Sequence, residues 1–299
     1  MAARRFSVQP RGPFDLRASN KYFGGWVQAA EGDEPAIPMA FPVEGWDGSA
    51  VVVVRQADDG TVSGEVFGTT TEHERAWQQA CAVLSVDEDG SGFADAGRRD
   101  PMIGTLQAQH PGLRPVLFHS PYEAACQFVI AHRTSIAQGR AVRARMAEQA
   151  GDAIETPLGV HHSFPAPQRL LQMEAFPGVF AAKWPRLHAV AQAALDGVLV
   201  RAHLRSLPYE QALAAVRAIP GMGPFFSQGV VIRGAGAVDA LSDDMVTRQA
   251  VQQAYGLDHE PDTAELTRIA EPWRPYRSWV MVLLHVAFRR EGAGPRRQR

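Results

Sequence analysis

The stretch IPGMGPFFSQG, Ile219–Gly229, places Pro-Gly-Met-Gly between two segments that otherwise read as helix. A turn between helices needs one glycine. Two glycines around a single apolar residue imply that something approaches the backbone closely. Gly221 and Gly223 can both take positive φ, and neither puts a Cβ in the way. Pro220 ends the preceding helix and Pro224 opens the next at its first position. Pro220, Gly221, Met222 and Gly223 then form a tight hairpin. The amides beyond it lie at the positive end of a helix dipole, which makes a seat for a phosphate. A tight helix–helix connection that binds nothing has the same pattern, and the hairpin alone does not separate the two.

About twenty residues on, AVDALSDDMVTRQAVQQAYG (237–256) brings two adjacent acids, Asp243 and Asp244. Ser242 or Asp243 can cap the helix that runs from Met245. Asp244 then falls in its first turn, where the dipole favours the ionised carboxylate, while the neighbouring Asp243 opposes it. Read without context, both acids are ordinary helix-start residues.

The bulk composition narrows the classes. The chain has 299 residues, 45% hydrophobic, with mean hydropathy −0.18. It can therefore bury a large core, as one big domain or two. Its two cysteines, Cys81 and Cys126, form no CxxC pair. That argues against a zinc ribbon, an iron–sulfur cluster or a disulfide framework and fits a reducing cytoplasm. The start, MAARRFSVQPRGPFDL, has no apolar run behind its arginines and does not read as a signal peptide. The run WVMVLLHVAF (279–288) is too short to span a bilayer. Net charge is −2, but unevenly spread. Residues 1–100 carry 9 Lys and Arg against 16 Asp and Glu, a charge of −7. Residues 101–299 carry 21 against 16, a charge of +5. Only Lys21 and Lys183 are lysines. Arginine suits bidentate phosphate contacts, although an arginine-rich count also follows from genome composition.

The first hundred residues read as strands: AIPMAF (36–41), AVVVVRQ (50–56) and TVSGEVFG (61–68), with Asp59-Gly60 as a hairpin turn. A helix follows over 72–86, with Ala76, Ala80, Val83 and Leu84 on one face, and then a Gly/Asp-rich connection over 87–100. Beyond Asp100 the β signals disappear. Helices are expected within 121–151, stopped by Gly151, and over 167–173, 185–197 and 208–219, with a loop over 156–167. The expected fold class is α+β: an N-terminal antiparallel β-sheet domain with a flanking helix (1–100), followed by an all-α domain (101–299). There is no internal repeat, and the only biased segment is the Arg-rich tail GPRRQR.

The combined stretch AIPGMGPFFSQGVVIRGAGAVDALSDDMVTRQA (218–250) resembles the helix-hairpin-helix, Gly/Pro…Asp signature of the base-excision DNA glycosylases. Within them it is most similar to the 3-methyladenine DNA glycosylase II branch. GPFDLRASNKYFGGW (12–26), DPMIGTLQAQHPGLRP (100–115), SPYEAACQFVIAHRTSIAQGRAVRARM (120–146) and PWRPYRSWVMVLLHVAF (272–288) resemble further segments of that branch, in order along nearly the whole chain.

The resemblance implies an all-α helix-hairpin-helix glycosylase domain whose partner is double-stranded DNA with a damaged base, acting as a monomer and without a membrane. It places the essential carboxylate on Asp244, beside the sugar C1′ of a nucleotide flipped from the stack. Asp243 is then a cap. The hairpin Pro220–Gly223 would hold a DNA phosphate through backbone amides, and its carbonyls a monovalent cation. No organic cofactor, iron–sulfur cluster or other metal is implied, since the family's cysteine quartet is missing. Lyase-active relatives carry a Schiff-base lysine where this chain has Phe225, and neither lysine is nearby, which implies a monofunctional enzyme. The base pocket and wedge map to His132, Arg133, Phe225, Gly229 and His285. Phe225 keeps an aromatic. Gly229 replaces an aromatic, His285 a tryptophan, His132 a glutamine, and Arg133 stands at the residue that wedges into the duplex.

The expected activity is hydrolysis of the N-glycosidic bond of an alkylated purine. The same fold acting on oxidised or deaminated bases is the first alternative, motivated by Gly229, His132 and His285. A catalytically silent DNA-binding protein is the second, against which the retained Asp244 speaks. His161-His162 reads as loop rather than metal site. Trp273, Tyr276 and Trp279 read as core. Arg233, Arg248 and Arg277 are candidates for phosphate contacts or internal ion pairs. The acidic first hundred residues are expected to face away from DNA.

Overall fold

The computed structural model describes residues 4–22 and 36–288. Residues 23–26 of the segment 12–26, the first three residues and the Arg-rich tail lie outside the described residues. Strand β1 is Arg4–Val8, followed by helix α1 (Leu16–Tyr22) and strands β2 (Ile37–Pro42), β3 (Ser49–Gln56) and β4 (Val62–Gly68). The strands form an antiparallel sheet of order β1-β4-β3-β2. The turn at Asp59-Gly60 forms as expected, with Gly60 at φ +85 and the Asp59 carboxylate accepting from Thr61 N at 2.9 Å. Strand β1, absent from the sequence reading, pairs with β4 and lays Phe6 on Trp77, centroids 6.1 Å apart.

Helix α2 (His73–Val83) covers one face of the sheet. Trp77, Ala80 and Val83 pack there with Val52, Val54, Val62 and Val66. The alternate residues of β3, Val51 and Val53, point to the other face and are equally buried. A strand covered on both faces reads as a continuous apolar run, and VVVV is one.

What covers that second face corrects the sequence reading. After α3 (Phe93–Arg99), α4 (Pro101–Gln109), α5 (Pro121–Ala131) and α6 (Ile136–Ala150), strands β5 (Ala153–Thr156) and β6 (Gly159–His162) form a hairpin where the sequence suggests a loop. A lone hairpin is marginal in water. This one is supported by Ile154, buried against Val51 and Val53 of the main sheet, a contact that no local pattern announces. Helix α3 likewise lies inside the stretch expected as a connection. Its Phe93 packs on Tyr276 and Trp279.

The rest is helical: α7 (Pro167–Leu171), α8 (Trp184–Leu195), α9 (Arg201–Ser206), α10 (Tyr209–Arg217), α11 (Pro224–Gly229), α12 (Met245–Tyr255), α13 (Thr263–Ile269) and α14 (Arg277–Ala287). Most helix starts follow local chemistry. Asp100 and Ser120 cap α4 and α5, each followed by proline. Ser135 and Gln138 form a reciprocal capping box on α6, and Asp262 caps α13. Trp273, Tyr276 and Trp279 are buried, as expected. The buried Arg201 joins the sheet side to the helical side. Its guanidinium donates to the carbonyls of Phe118 (2.8 Å), Gly234 (3.1 Å) and Gln79 (3.4 Å), and its amide donates to Glu44 Oε1 (3.1 Å). Such a cation is tolerated inside because its donors find acceptors. Within the helical core, Glu123 of α5 accepts from Arg143 of α6, which locks that pair together.

Candidate active site on a helix-hairpin-helix

Helices α10 and α11 enclose the hairpin. Gly221 sits at φ +90, and a Cβ there would meet Cδ and Cγ of Arg186 at 2.7 and 2.8 Å. Glycine is therefore required on two counts. Gly223 differs from expectation. Its φ −72, ψ 177 is ordinary extended backbone, and a Cβ would meet nothing within 4 Å. Its contribution is an open approach to the start of α11, which has no side-chain cap. Met222 is the buried anchor of the turn, its amide donating to Ile219 O at 3.0 Å, while Pro220, Gly221 and Gly223 are exposed. Helix α11 widens into a π-type segment over Val230–Ala235 and ends at Gly236, φ +85. Such widened turns recur beside functional sites.

Asp244 is itself the N-cap of α12, and this corrects the reading that gave the cap to Ser242 or Asp243. Its Oδ1 accepts from Thr247 N at 2.8 Å and its Oδ2 accepts from Ser242 Oγ at 2.7 Å. Asp243 points away. It pairs with Arg248, Nε–Oδ1 2.6 Å, and accepts from Thr263 Oγ1 at 2.6 Å. The Arg248 hydrogen bonds hold its carboxyl below the ordinary aspartate range. Arg248 is thus an internal partner, and so is Arg277, which binds Asp239 at 2.8 Å. Gln228 of α11 ties the two halves of the motif. Its Nε2 donates to Leu241 O at 3.2 Å, and its Oε1 lies 3.1 Å from Ser242 Oγ.

His285 of α14 comes to the same place. Its Nε2 is 3.2 Å from Thr247 Oγ1. Burial lowers its pKa, Asp244 opposes the shift, and Arg233 adds to it. The structure therefore brings His285, Thr247 and Asp244 together. Arg233 lies over the Phe118 ring, 5.2 Å from its centroid.

The second group gathers at the end of α5. Phe128 stacks on Phe226 (centroids 5.5 Å) and meets Phe225 edge-on (6.1 Å). His132 meets Phe226 edge-on at 5.6 Å. Phe225 is 60% exposed, so a large ring faces solvent beside the hairpin. At Gly229, a Cβ would lie 2.3 Å from Phe128 Cζ. The volume missing at Gly229 is thus filled from α5. Phe128 was not anticipated, although its place one helical turn before His132 puts it on the same face. His132 closes α5, and Arg133, exposed, has φ +57. His132 has a lowered pKa, through partial burial and the nearby Arg133, Arg186 and Lys183. Lys183 is therefore near the site in space, contrary to its distance in sequence. Its Nζ is engaged, donating to Ile130 O at 2.7 Å.

His161 and His162 lie in β6 rather than in a loop. Among the described residues there is no cluster of three or more His, Cys, Asp or Glu able to hold a metal ion, and no helix is long and apolar enough to cross a membrane.

No family model matches the chain. DNA-3-methyladenine glycosylase 2 of Escherichia coli (strain K12) is 29% identical over 191 residues, which are 62% of this chain and 63% of that protein. The chain thus spans under two thirds of that relative's length. The structure of 3-methyladenine DNA-glycosylase from Archaeoglobus fulgidus superposes with a TM-score of 0.76 at 16% identity, over 95% of this chain and 98% of that one. These similarities support the resemblance to the helix-hairpin-helix DNA glycosylases. The DNA-3-methyladenine glycosylase of Bacillus subtilis (strain 168) is likewise similar, 22% identical over 206 residues, which are 67% of this chain and 68% of that protein. The expected fold is borne out: a small N-terminal antiparallel sheet and a mostly helical remainder. The fold is not specific to 3-methyladenine glycosylases, since the 8-oxoguanine glycosylase/lyase of Clostridium acetobutylicum superposes with a TM-score of 0.68 at 14% identity, over 96% and 98% of the two chains.

Proposed function

We propose that this chain is a monofunctional DNA glycosylase that removes alkylated purines from double-stranded DNA, acting as a monomer in the reducing cytoplasm. The observation that carries this reading is the Asp244 carboxylate, fixed by Ser242 Oγ and Thr247 N, in a segment tied to the hairpin helix by Gln228 Nε2 donating to Leu241 O. A cap alone needs one oxygen. Orientation of both oxygens suits a group that must face developing positive charge. As the C1′–N bond breaks, its electron pair leaves with the base, which departs neutral if it was a cationic alkylated purine. The sugar becomes oxocarbenium-like, Asp244 stabilises it, and water adds at C1′ with loss of a proton.

The exposed hairpin would anchor a phosphate of the strand through backbone amides. Its exposed, side-chain-poor turn also fits a monovalent cation held by carbonyls of Pro220–Gly223, which would supply neutralisation of that phosphate. The rings of Phe225, Phe226 and Phe128 offer electron-rich faces to a cationic base. Arg133 would fill the gap left in the duplex. Phe225 occupies the position where a lyase would need an amine, and Lys183 is held elsewhere. A second reading, excision of oxidised or deaminated bases, is favoured by one observation: His285 brings a polar imidazole beside Asp244.

Base release from randomly methylated DNA, with 3-methyladenine and 7-methylguanine resolved by chromatography, tests the proposal. Asp244→Asn keeps a side-chain oxygen for Thr247 N, so the fold should lose about 0.5 kcal/mol or less, whereas Asp244→Ala should lose about 1 kcal/mol with the cap. Both should lower release about 10²–10³-fold. Release by Asp244→Asn at the parent rate refutes the carboxylate role. A parent that releases only oxidised or deaminated bases from a lesion panel moves the assignment to the second reading.

A further inference from the structure

Lys183 closes the short 3₁₀ turn Ala181–Lys183 that leads into α8, and it is 6% exposed. Its Nζ donates to Ile130 O, in the last turn of α5, and lies 5.3 Å from the centroid of the exposed Phe180 ring. The final carbonyls of a helix have no amide partner within it, and its negative end favours a cation. The other holds on this turn go to neighbouring carbonyls. His132 N donates to Val129 O at 3.3 Å, and Thr134 N to Ala131 O at 3.1 Å. Thr134 Oγ1 reaches Ile130 O only at 3.5 Å. The Ile130 carbonyl therefore depends mainly on Lys183. Immediately beyond it Arg133 holds φ +57, a conformation that a residue with a side chain keeps only when its surroundings impose it. One turn into α8, the stem of Arg186 lies against Gly221 of the hairpin. The start of α8 thus abuts both the end of α5 and the hairpin.

We propose that Lys183 is a positioning residue, which fixes the His132–Arg133 turn relative to the hairpin so that Arg133 can fill the gap in a duplex. This rests on the glycosylase reading but is tested without base release. Affinities for a duplex carrying a stable abasic-site analogue and for the undamaged duplex are measured by fluorescence anisotropy. Lys183→Met should weaken binding to the gapped duplex about tenfold and to the undamaged duplex less than about twofold. Lys183→Arg should restore most of the loss. In an Arg133→Ala background, Lys183→Met should add nothing, because it acts through Arg133. Equal weakening on both duplexes, no weakening, or full additivity with Arg133→Ala overturns the proposal, as does a parent without preference for the gap. Should Lys183→Met fail to fold, Lys183→Gln, which keeps a donor without the charge, makes the same comparison. A parent that prefers the gapped duplex yet releases no base would remove the glycosylase reading and leave this one to the affinities.

Discussion

Gly229→Ala places a methyl group where Phe128 now lies. The new Cβ would stand 2.3, 2.7 and 3.1 Å from Cζ, Cε2 and Cε1 of that ring. The ring must retreat by roughly 1 Å to restore ordinary contact, yet Phe118, Phe225 and Phe226 surround it at centroid distances of 6.1, 6.1 and 5.5 Å. Overpacking of this kind costs about 1–3 kcal/mol. Replacing a helical glycine by alanine returns about 1 kcal/mol. The net expectation is a loss of about 1 kcal/mol, read as a fall in melting temperature of about 2–4 °C. The control is Phe128→Ala, which removes the obstacle and costs about 2 kcal/mol, less than for a fully buried ring. In the double variant the clash is gone and the helix gain remains, so it should be at least as stable as Phe128→Ala alone. The coupling should be about 1–3 kcal/mol. Urea titrations of the four proteins supply the numbers. Gly229→Ala as stable as the parent, or costs that add within about 0.5 kcal/mol, refutes the account of Phe128 as the occupant of that space.

Two further outcomes follow from the site. Borohydride reduction in the presence of abasic DNA should trap no covalent adduct, because Phe225 is no nucleophile and the Lys183 amine is bound to Ile130 O; an adduct lost in Lys183→Met would show a lyase. Burial depresses the pKa of His285, with Asp244 opposing and Arg233 assisting, so the unfolded chain binds this proton more readily than the folded one. Its contribution to stability is complete above about pH 6.5 and is lost as pH falls through that value towards the folded pKa, with a slope of at most about 1.4 kcal/mol per pH unit. Melting temperatures between pH 7.5 and 5 should therefore fall less steeply for His285→Gln than for the parent; identical curves would assign the acid sensitivity to other groups.

The hairpin was legible because its chemistry is local. Pro220, Gly221 and Pro224 each act on their own backbone. The same holds for the Asp59-Gly60 turn, for the buried face of α2 and for the VVVV strand. Which of Ser242, Asp243 and Asp244 caps α12 was not legible, because all three residue types are good caps. The choice is made by Arg248 and Thr263, which draw Asp243 outwards. The β5–β6 hairpin depends on Ile154 reaching Val51 and Val53, and the proximity of Lys183 to His132 depends on a contact with Ile130. In each case two segments distant in sequence meet, and no periodicity in either one records the other.

The same point bears on substrate choice. Position 229 taken alone suggests that a stacking surface is missing, since the resembling branch has an aromatic there. The structure delivers a ring to that space from α5, through Phe128, and keeps Phe225 and Phe226 beside it. Under the proposed function, the apolar, polarisable wall offered to a flipped base is therefore rebuilt rather than lost. An imidazole beside Asp244, with one nitrogen 3.2 Å from Thr247 Oγ1, offers a hydrogen-bonding edge where an indole would offer a face. A site that hydrogen-bonds a base discriminates by leaving its own polar groups unpaired when the wrong base enters, which stacking alone does only weakly. If the proposed function holds, any divergence in substrate range from the 3-methyladenine branch should therefore originate at His285 and not at Gly229, although Gly229 is the more conspicuous departure in the sequence.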